Sequence, residues 1–348
     1  MSDIDDAISA FQQHGTKAAA ARALGVPVTT LKSRLERAYA TSTLYGADGE
    51  AKLTWVKERN DLTPAEVGEQ IRAALEGYTP PDTFPTAPEN TDKDLATVYL
   101  CADWHVGLLS WAKETKHNWD LKIGRSTIQT AMSRLINTTP SSSQAVVLGL
   151  GDLLHSDNYD NQTARSKNVL DVDGRYPRVL QAATELLMFT VDLALAKHER
   201  VLVRILPGNH DDQSALAVTL ALSLYYKNND RVTVDDDAGR FWWWSWGKVL
   251  LGATHGDKAK MRDLPLIMAA RNAEAWGKSK FRHVYTGHIH REAGKKDEMS
   301  GVTVESFQTP VAPDAWHVAM GYGAGRSVSA ITHHRDQGEV IRNKVNII

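Results

Sequence analysis

Two textures of apolar spacing divide the chain near residue 94. Over the first forty or so residues, small and apolar side chains recur at helical spacing and are interrupted at Gly15 and Gly25. A first helix is expected from Asp5 or Asp6 to Gln13, and a second from Lys17 to Leu24 under a Thr16 cap. Thr29 or Thr30 then opens a third, Leu31 to Ala40. Thr63 as N-cap, with Pro64 in the first turn, predicts a further helix to Leu75. Prolines make residues 79–88 an extended linker. Beyond Asp94, short apolar runs at 96–100, 145–148, 201–206, 249–252 and 283–286 read as strands. Helical spacing over 125–136 and 176–197 separates the first three. This alternation predicts an α/β sandwich over 95–348, preceded by a small all-α domain over 1–45 and a helical, proline-rich linker over 46–94.

A chain of 348 residues can hold two domains, one with a large core. The formal net charge of -2 excludes a protein that coats nucleic acid by bulk charge, yet leaves room for a local basic patch. Cys101 is the single cysteine, so an intramolecular disulfide and a thiolate zinc site are both excluded. The acidic start lacks the basic and apolar segments of a signal peptide. No apolar stretch approaches the roughly 20 residues that span a bilayer. The expected setting is cytoplasmic, in a bacterium or a phage-infected host, with no membrane partner.

In the N-terminal segment, the alanine-rich run 18–24, the turn at Gly25 and the polar, partly basic helix after it resemble a helix-turn-helix of bacterial and phage DNA-binding proteins. That resemblance implies that the third helix enters the major groove. Thr29, Thr30, Lys32, Ser33, Arg34 and Arg37 are then the candidate contacts, and DNA is the expected partner. A three-helix module that binds protein or pairs with itself is the alternative.

Chemistry concentrates at the ends of the strands. The first runs into Asp103-Trp104-His105, the second into Gly151-Asp152-Leu153-Leu154-His155, and the third into Gly208-Asn209-His210-Asp211. The fourth ends in His255-Gly256-Asp257 and the fifth in Gly287-His288-Ile289-His290. Loops at the carboxyl ends of strands converge on one crevice, so these clusters are expected to meet. Any one of them arises readily by chance; five in succession do not.

In this order the clusters resemble the signature of the calcineurin-like metallophosphoesterases, over about residues 95–295. The Trp104–Gly107 and Leu154–Asn158 contexts are similar to phage or prophage members related to DNA-repair exonucleases. The resemblance implies a four-layer α/β/β/α sandwich holding two divalent metal ions. Asp103, His105, Asp152 and His290 would hold one metal. Asp152, Asn209, His255 and His288 would hold the other, with Asp152 as the bridge. His210 would be the catalytic histidine, kept in place by Asp211. Two ions about 3.5–4 Å apart clamp a phosphoryl group and activate the attacking water. Oxygen and imidazole donors without sulfur suit manganese, iron or zinc, and the resemblance favours manganese. It also makes a homodimer a mild expectation.

Three further segments attract attention. The polar stretch 155–175 is a candidate substrate wall, with His155, Asn158 and Arg175 as contacts. In Phe241-Trp242-Trp243-Trp244-Ser245-Trp246, strand alternation puts Trp242, Trp244 and Trp246 on one face, expected to be core rather than a base-stacking surface. The stretch 308–317 offers Asp314 and His317 as candidates bordering the site, but nothing in its spacing demands that, and it reads best as a structural turn. The leading functional expectation is a DNA nuclease or phosphodiesterase. The rivals are an enzyme acting on a nucleotide or other small phosphoester, and a DNA-binding or scaffold protein with a non-catalytic metal site.

Overall fold

The computed structural model describes residues 3–45, 51–58, 84–163, 166–292 and 301–348. Contacts divide the chain into two compact units, Met1–Tyr78 and Thr79–Ile348.

The first unit opens with helices α1 (Asp3–His14), α2 (Lys17–Ala23) and α3 (Val28–Ala38). Thr16 caps α2 by accepting the Ala19 N–H at 3.2 Å. Gly25 turns the chain at φ 64°, where the Val26 N–H reaches the Ala21 carbonyl at 3.0 Å. Ala7, Ala10, Ala20, Ala21, Leu31 and Leu35 form the core of the three helices. Their mostly small side chains let the helices approach closely. Both outer helices begin earlier than expected, so Thr29 and Thr30 lie inside α3, because the Pro27 carbonyl accepts its first N–H groups.

After α3 the chain becomes a strand rather than a junction. Strands β1 (Tyr39–Tyr45) and β2 (Ala51–Glu58) pair antiparallel, with Thr43 opposite Thr54. The two tyrosines and two threonines of YATSTLY, and the LTWV run in β2, favour an extended backbone over a continued helix. The helix expected over Thr63–Leu75 and the first part of the proline linker lie outside the described residues. The linker's last part is already docked on the second unit. Phe84 packs edge-on to Tyr225 at 5.9 Å, and the Pro85 carbonyl accepts from Arg231 at 2.6 Å.

The second unit is built from two sheets and their covering helices. In chain order its helices are α4 (Ala112–Thr115), α5 (Leu121–Thr138), α6 (Tyr176–Lys197), α7 (Ser214–Tyr225), α8 (Leu264–Arg271), α9 (Ala273–Lys278) and α10 (Ala315–Ala319). Its strands are β3 (Asp92–Cys101), β4 (Ser142–Gly149), β5 (Arg200–Ile205), β6 (Val232–Asp235), β7 (Trp242–Trp246), β8 (Val249–Ala253), β9 (Phe281–Thr286), β10 (Thr303–Ser306), β11 (Arg326–His334) and β12 (Gly338–Ile347). The larger sheet runs β12-β11-β3-β4-β5-β6, parallel from β3 to β6 and antiparallel at β11 and β12. The smaller runs β10-β9-β8-β7, with only β7 antiparallel.

Three apolar layers hold this stack together. Tyr99, Val147 and Val203 face α5, α6 and α7. Val98, Leu100, Val146 and Leu148 face Trp242, Leu251, Ala253 and Tyr285 across the sheets. Leu250 and Val284 meet Leu264 and Met268 of α8 on the far side. Each fully buried aliphatic side chain contributes roughly 1.5–3 kcal/mol. By length and apolar composition α6 could cross a membrane, against the expectation of no such stretch. Here it is a core helix, with Val179, Ala183, Leu186, Leu187 and Val191 buried against the sheet.

The tryptophan strand is core, as expected. Trp242 is 3% exposed, and Trp242, Trp244 and Trp246 stack in succession at 6.1 and 5.8 Å on the inter-sheet face. Phe241 and Trp243 fill the opposite layer. Trp242→Ala is therefore expected to cost about 3–5 kcal/mol of stability, read by chemical denaturation. An unchanged midpoint would contradict the packing.

Candidate metal centre

Strands β3, β4 and β5 are parallel neighbours, and so are β8 and β9, so within each sheet the carboxyl ends lie along one edge. Asp103, Asp152 and Asn209 follow the ends of the first set, His255 and His288 those of the second. Hydrogen bonds join the two sheets at this edge. Asp103 accepts the His288 N–H at 2.9 and 3.1 Å, and the His255 ring donates to the Leu150 carbonyl at 2.8 Å. The expected candidates therefore come together.

The backbone is bent to bring them there. Asp103, His105, Asp152, His288 and His290 all have left-handed φ, between 38° and 69°. Such conformations cost of order 1–3 kcal/mol each and persist only where the surroundings impose them. The motif glycines are explained by the same crowding. A Cβ on Gly208 would lie 2.1 Å from the Asp152 carboxylate, and one on Gly287 would lie 2.5 Å from that of Asp103.

Two groups of donors lie side by side. In one, Asp103, His105 and His290 place their ligand atoms within 4.8 Å of one another; in the other, Asp152, His255 and His288 do the same. His105 Nε2 and His290 Nε2 face each other at 2.9 Å. His255 Nε2 lies 3.1 Å from both Asp152 Oδ2 and Asn209 Oδ1. His105, His155 and His210 form a further group sharing His105. Asp103, Asp152 and Asp211 are all essentially buried, and carboxylates out of water demand positive charge nearby. His255 answers part of that demand. Burial opposes its charge, but the Asp152 carboxylate beside it, Asp103 and the Leu150 carbonyl together outweigh burial and bring the pKa up to about 10. His105 is held well below the ordinary imidazole range by burial and by the neighbouring His210 and His290, which suits a neutral metal ligand. Facing imidazole nitrogens, buried carboxylates and one amide oxygen are a donor set that fits two divalent cations.

Two assignments change. Asp211 does not hold the His210 ring. Its buried carboxylate accepts the N–H groups of Gly208 at 2.8 Å, Asp152 at 3.2 Å, Leu153 at 2.7 Å and Leu154 at 3.2 Å. It clamps the Asp152 loop to the Gly208 loop, since neighbouring residues in a tight turn point to different sides. The His155 carbonyl orients His210 instead, accepting from its Nδ1 at 2.8 Å. Asp211→Ala would strand four N–H groups, each worth roughly 1–3 kcal/mol when buried without a partner. Its melting temperature is expected to fall well below that of Asp211→Asn, which keeps one acceptor oxygen. Equal melting temperatures would refute the clamp.

The second change concerns the C-terminal turn. Asp314 caps α10 through the His317 N–H at 2.8 Å, as a turn residue should. It also holds the His317 ring at 2.7 Å, and that ring stacks on His290 at 4.8 Å and 14°. Residue spacing carried no signal of this, because the approach depends on tertiary bonds such as Thr309 Oγ1 to the Asp103 carbonyl at 2.6 Å.

Of the candidate substrate residues, His155 sits in the cluster, buried, its ring stacked on His210 at 5.4 Å, with no hydrogen-bond partner for its Nε2. Asn158 closes its own turn by accepting the Asp160 N–H at 2.9 Å. Arg175 is exposed and lies over the Tyr159 ring at 5.9 Å. Asp157, which the sequence did not single out, ties this loop to the start of α7 through the Ser214 N–H at 2.7 Å. On α3, Thr29, Lys32 and Ser33 are exposed and Thr30 and Arg34 half-buried, while the Arg37 side chain lies outside the described residues. Away from the centre, His283, Glu305 and Glu339 also group together, but Arg342 fills that site, reaching Glu305 at 2.6 Å and Glu339 at 2.8 Å.

No protein-family model matches the chain, and no curated protein matches it. Among solved structures the chain is similar to Vps29 of Chaetomium thermophilum, at 10% identity and a TM-score of 0.27, over 72% of this chain and 97% of that one. A likeness at that score carries no functional weight.

Proposed function

We propose that this protein is a two-metal phosphoesterase acting on phosphodiesters, with DNA as its substrate. The observation that carries the reading is the pair of adjoining donor groups, Asp103–His105–His290 and Asp152–His255–His288, with Asn209 at the second. These residues would hold the two ions, Asp152 serving both, and manganese is the expected occupant. When bound, the ions supply charge that neutralises a phosphoryl group and activates water.

The chain's own contribution lies in His210. A carbonyl only accepts, so the bond to His155 puts the hydrogen on Nδ1 and leaves Nε2 to hold or move a proton at the substrate. The ring is half-buried and accessible, and its backbone N–H is anchored on Asp152 Oδ1 at 2.8 Å. The choice of DNA is supported by the three-helix unit, whose α3 exposes Thr29, Lys32 and Ser33. A second binding module raises the local concentration of substrate.

The test is hydrolysis by metal-stripped protein resupplied with manganese, on labelled single- and double-stranded DNA and on bis(p-nitrophenyl) phosphate. Cleavage of both is expected. Turnover of the small diester with DNA untouched would redirect the substrate to small phosphoesters. Failure on every substrate with two metals bound would overturn the phosphoesterase reading.

A further inference from the structure

Among the described residues, the exposed large aromatic side chains are Trp111, Tyr159, Trp316 and Tyr322, at 58, 53, 54 and 52%. The other aromatic side chains among the described residues are buried or half-buried, those of the tryptophan strand included, so rings left in water call for a reason. They are not scattered. Trp111 and Tyr159 follow the Asp103–His105 and Asp152–His155 segments. Trp316 and Tyr322 flank His317, the ring stacked on the candidate ligand His290.

The geometry is continuous from the donor groups outward. Asp314 fixes the His317 ring against His290. Trp316 stands at right angles to His317 at 5.0 Å, and Tyr322 meets Trp316 at 5.7 Å and His317 at 6.2 Å. Ser110 donates to the Pro313 carbonyl at 2.8 Å, joining the loop that carries Trp111 to the one that carries Trp316. A Cβ on Gly321 or Gly323, either side of Tyr322, would meet nothing within 4 Å, so this stretch of chain borders open space.

We infer that Trp316 and Tyr322 form a stacking platform for a nucleobase of the substrate, placed one ring beyond His290 by His317. This rests on the proposed phosphodiester chemistry and specifies its substrate class: a phosphate bearing a planar heterocycle. A phosphate held at the donor groups would leave its attached base within reach of these rings. Aromatic stacking tolerates any base, because every base has a π face. Trp242, Trp244 and Trp246 are unavailable for that role, since their faces are spent on one another and on the core.

The test is binding, independent of turnover. Fluorescence anisotropy would measure a labelled short oligothymidylate against an abasic oligomer of equal length, on the full chain without added metal. The wild type is expected to prefer the oligomer with bases, and the Trp316→Ala/Tyr322→Ala variant to lose that preference. A loss of roughly 5- to 150-fold corresponds to 1–3 kcal/mol per stacked base. Equal binding of both oligomers by wild type, or an undiminished preference in the variant, would overturn the inference. So would a wild-type dimer, seen by size-exclusion chromatography, that the variant dissociates without any base-dependent binding. That result would give the patch to a second copy of the chain. Hydrolysis of bis(p-nitrophenyl) phosphate by wild type reports separately on the phosphoesterase reading, because that diester bears no nucleobase.

Discussion

Asp152→Ala is expected to lose metal and to fall by roughly 10³-fold or more in hydrolysis, the loss of several kcal/mol of metal-supplied stabilisation. Asp152 joins three histidines of the centre. Its Oδ1 accepts the His210 N–H at 2.8 Å, its Oδ2 faces His255 at 3.1 Å, and its carbonyl accepts the His105 N–H at 2.9 Å. Burial raises the carboxyl's pKa, but His255, His210 and His105 together outweigh burial and hold it well below the usual carboxylate range, so the group is ionised at neutral pH. Removing it leaves His255 without its anion, and breaking a buried pair costs about 3–5 kcal/mol. Asp152→Asn separates the two consequences. It keeps an acceptor for the His210 N–H, so its fold should hold better, while its neutral oxygen can no longer bridge two cations. Metal content by mass spectrometry and rates on the small diester read both variants. Full metal and full rate in either one would refute the assignment of Asp152 as the shared ligand.

The parts legible in the sequence are those where local chemistry and tertiary role coincide. Helix α6 was readable to its last residue, because its spacing and the first-turn Pro177 needed no partner to interpret. The ligand segments were readable because a strand followed by donors recurs in order, in three of the five through a glycine just before the first donor, and Gly208 and Gly287 show why glycine is needed there. Strands β11 and β12 went unread. Their serines, histidines and charges mask a pattern that pairing alone makes sense of, as when Ile331 sits opposite both Val98 and Arg342. The β1–β2 hairpin was missed for a related reason, since a helix ending at Ala38 runs into it without a break. At the centre, sequence adjacency misled for Asp211, and spacing offered His317 as a candidate at the border without demanding it. Both outcomes share one cause. Contacts between loops depend on where strands end in space, and one-dimensional spacing does not carry that.

His210→Ala is expected to slow turnover by roughly 10²–10⁴-fold with both metals retained. The expectation rests on His210 lying outside the two groups assigned to metal while touching their edge. His105 meets it edge-on at 4.8 Å, and His155 stacks on it at 5.4 Å. Its Nδ1 is committed to the His155 carbonyl, so Nε2 is the working atom. The leaving group supplies the discriminating measurement. A nitrophenolate departs without help, whereas the oxygen of a DNA strand needs a proton or a neighbouring positive charge as the bond breaks. The variant's defect should therefore be much larger on DNA than on bis(p-nitrophenyl) phosphate. Equal defects on the two substrates would make His210 a positioning residue. Loss of metal from the variant would move it among the ligands, where its grouping with His105 and His155 also allows it to stand.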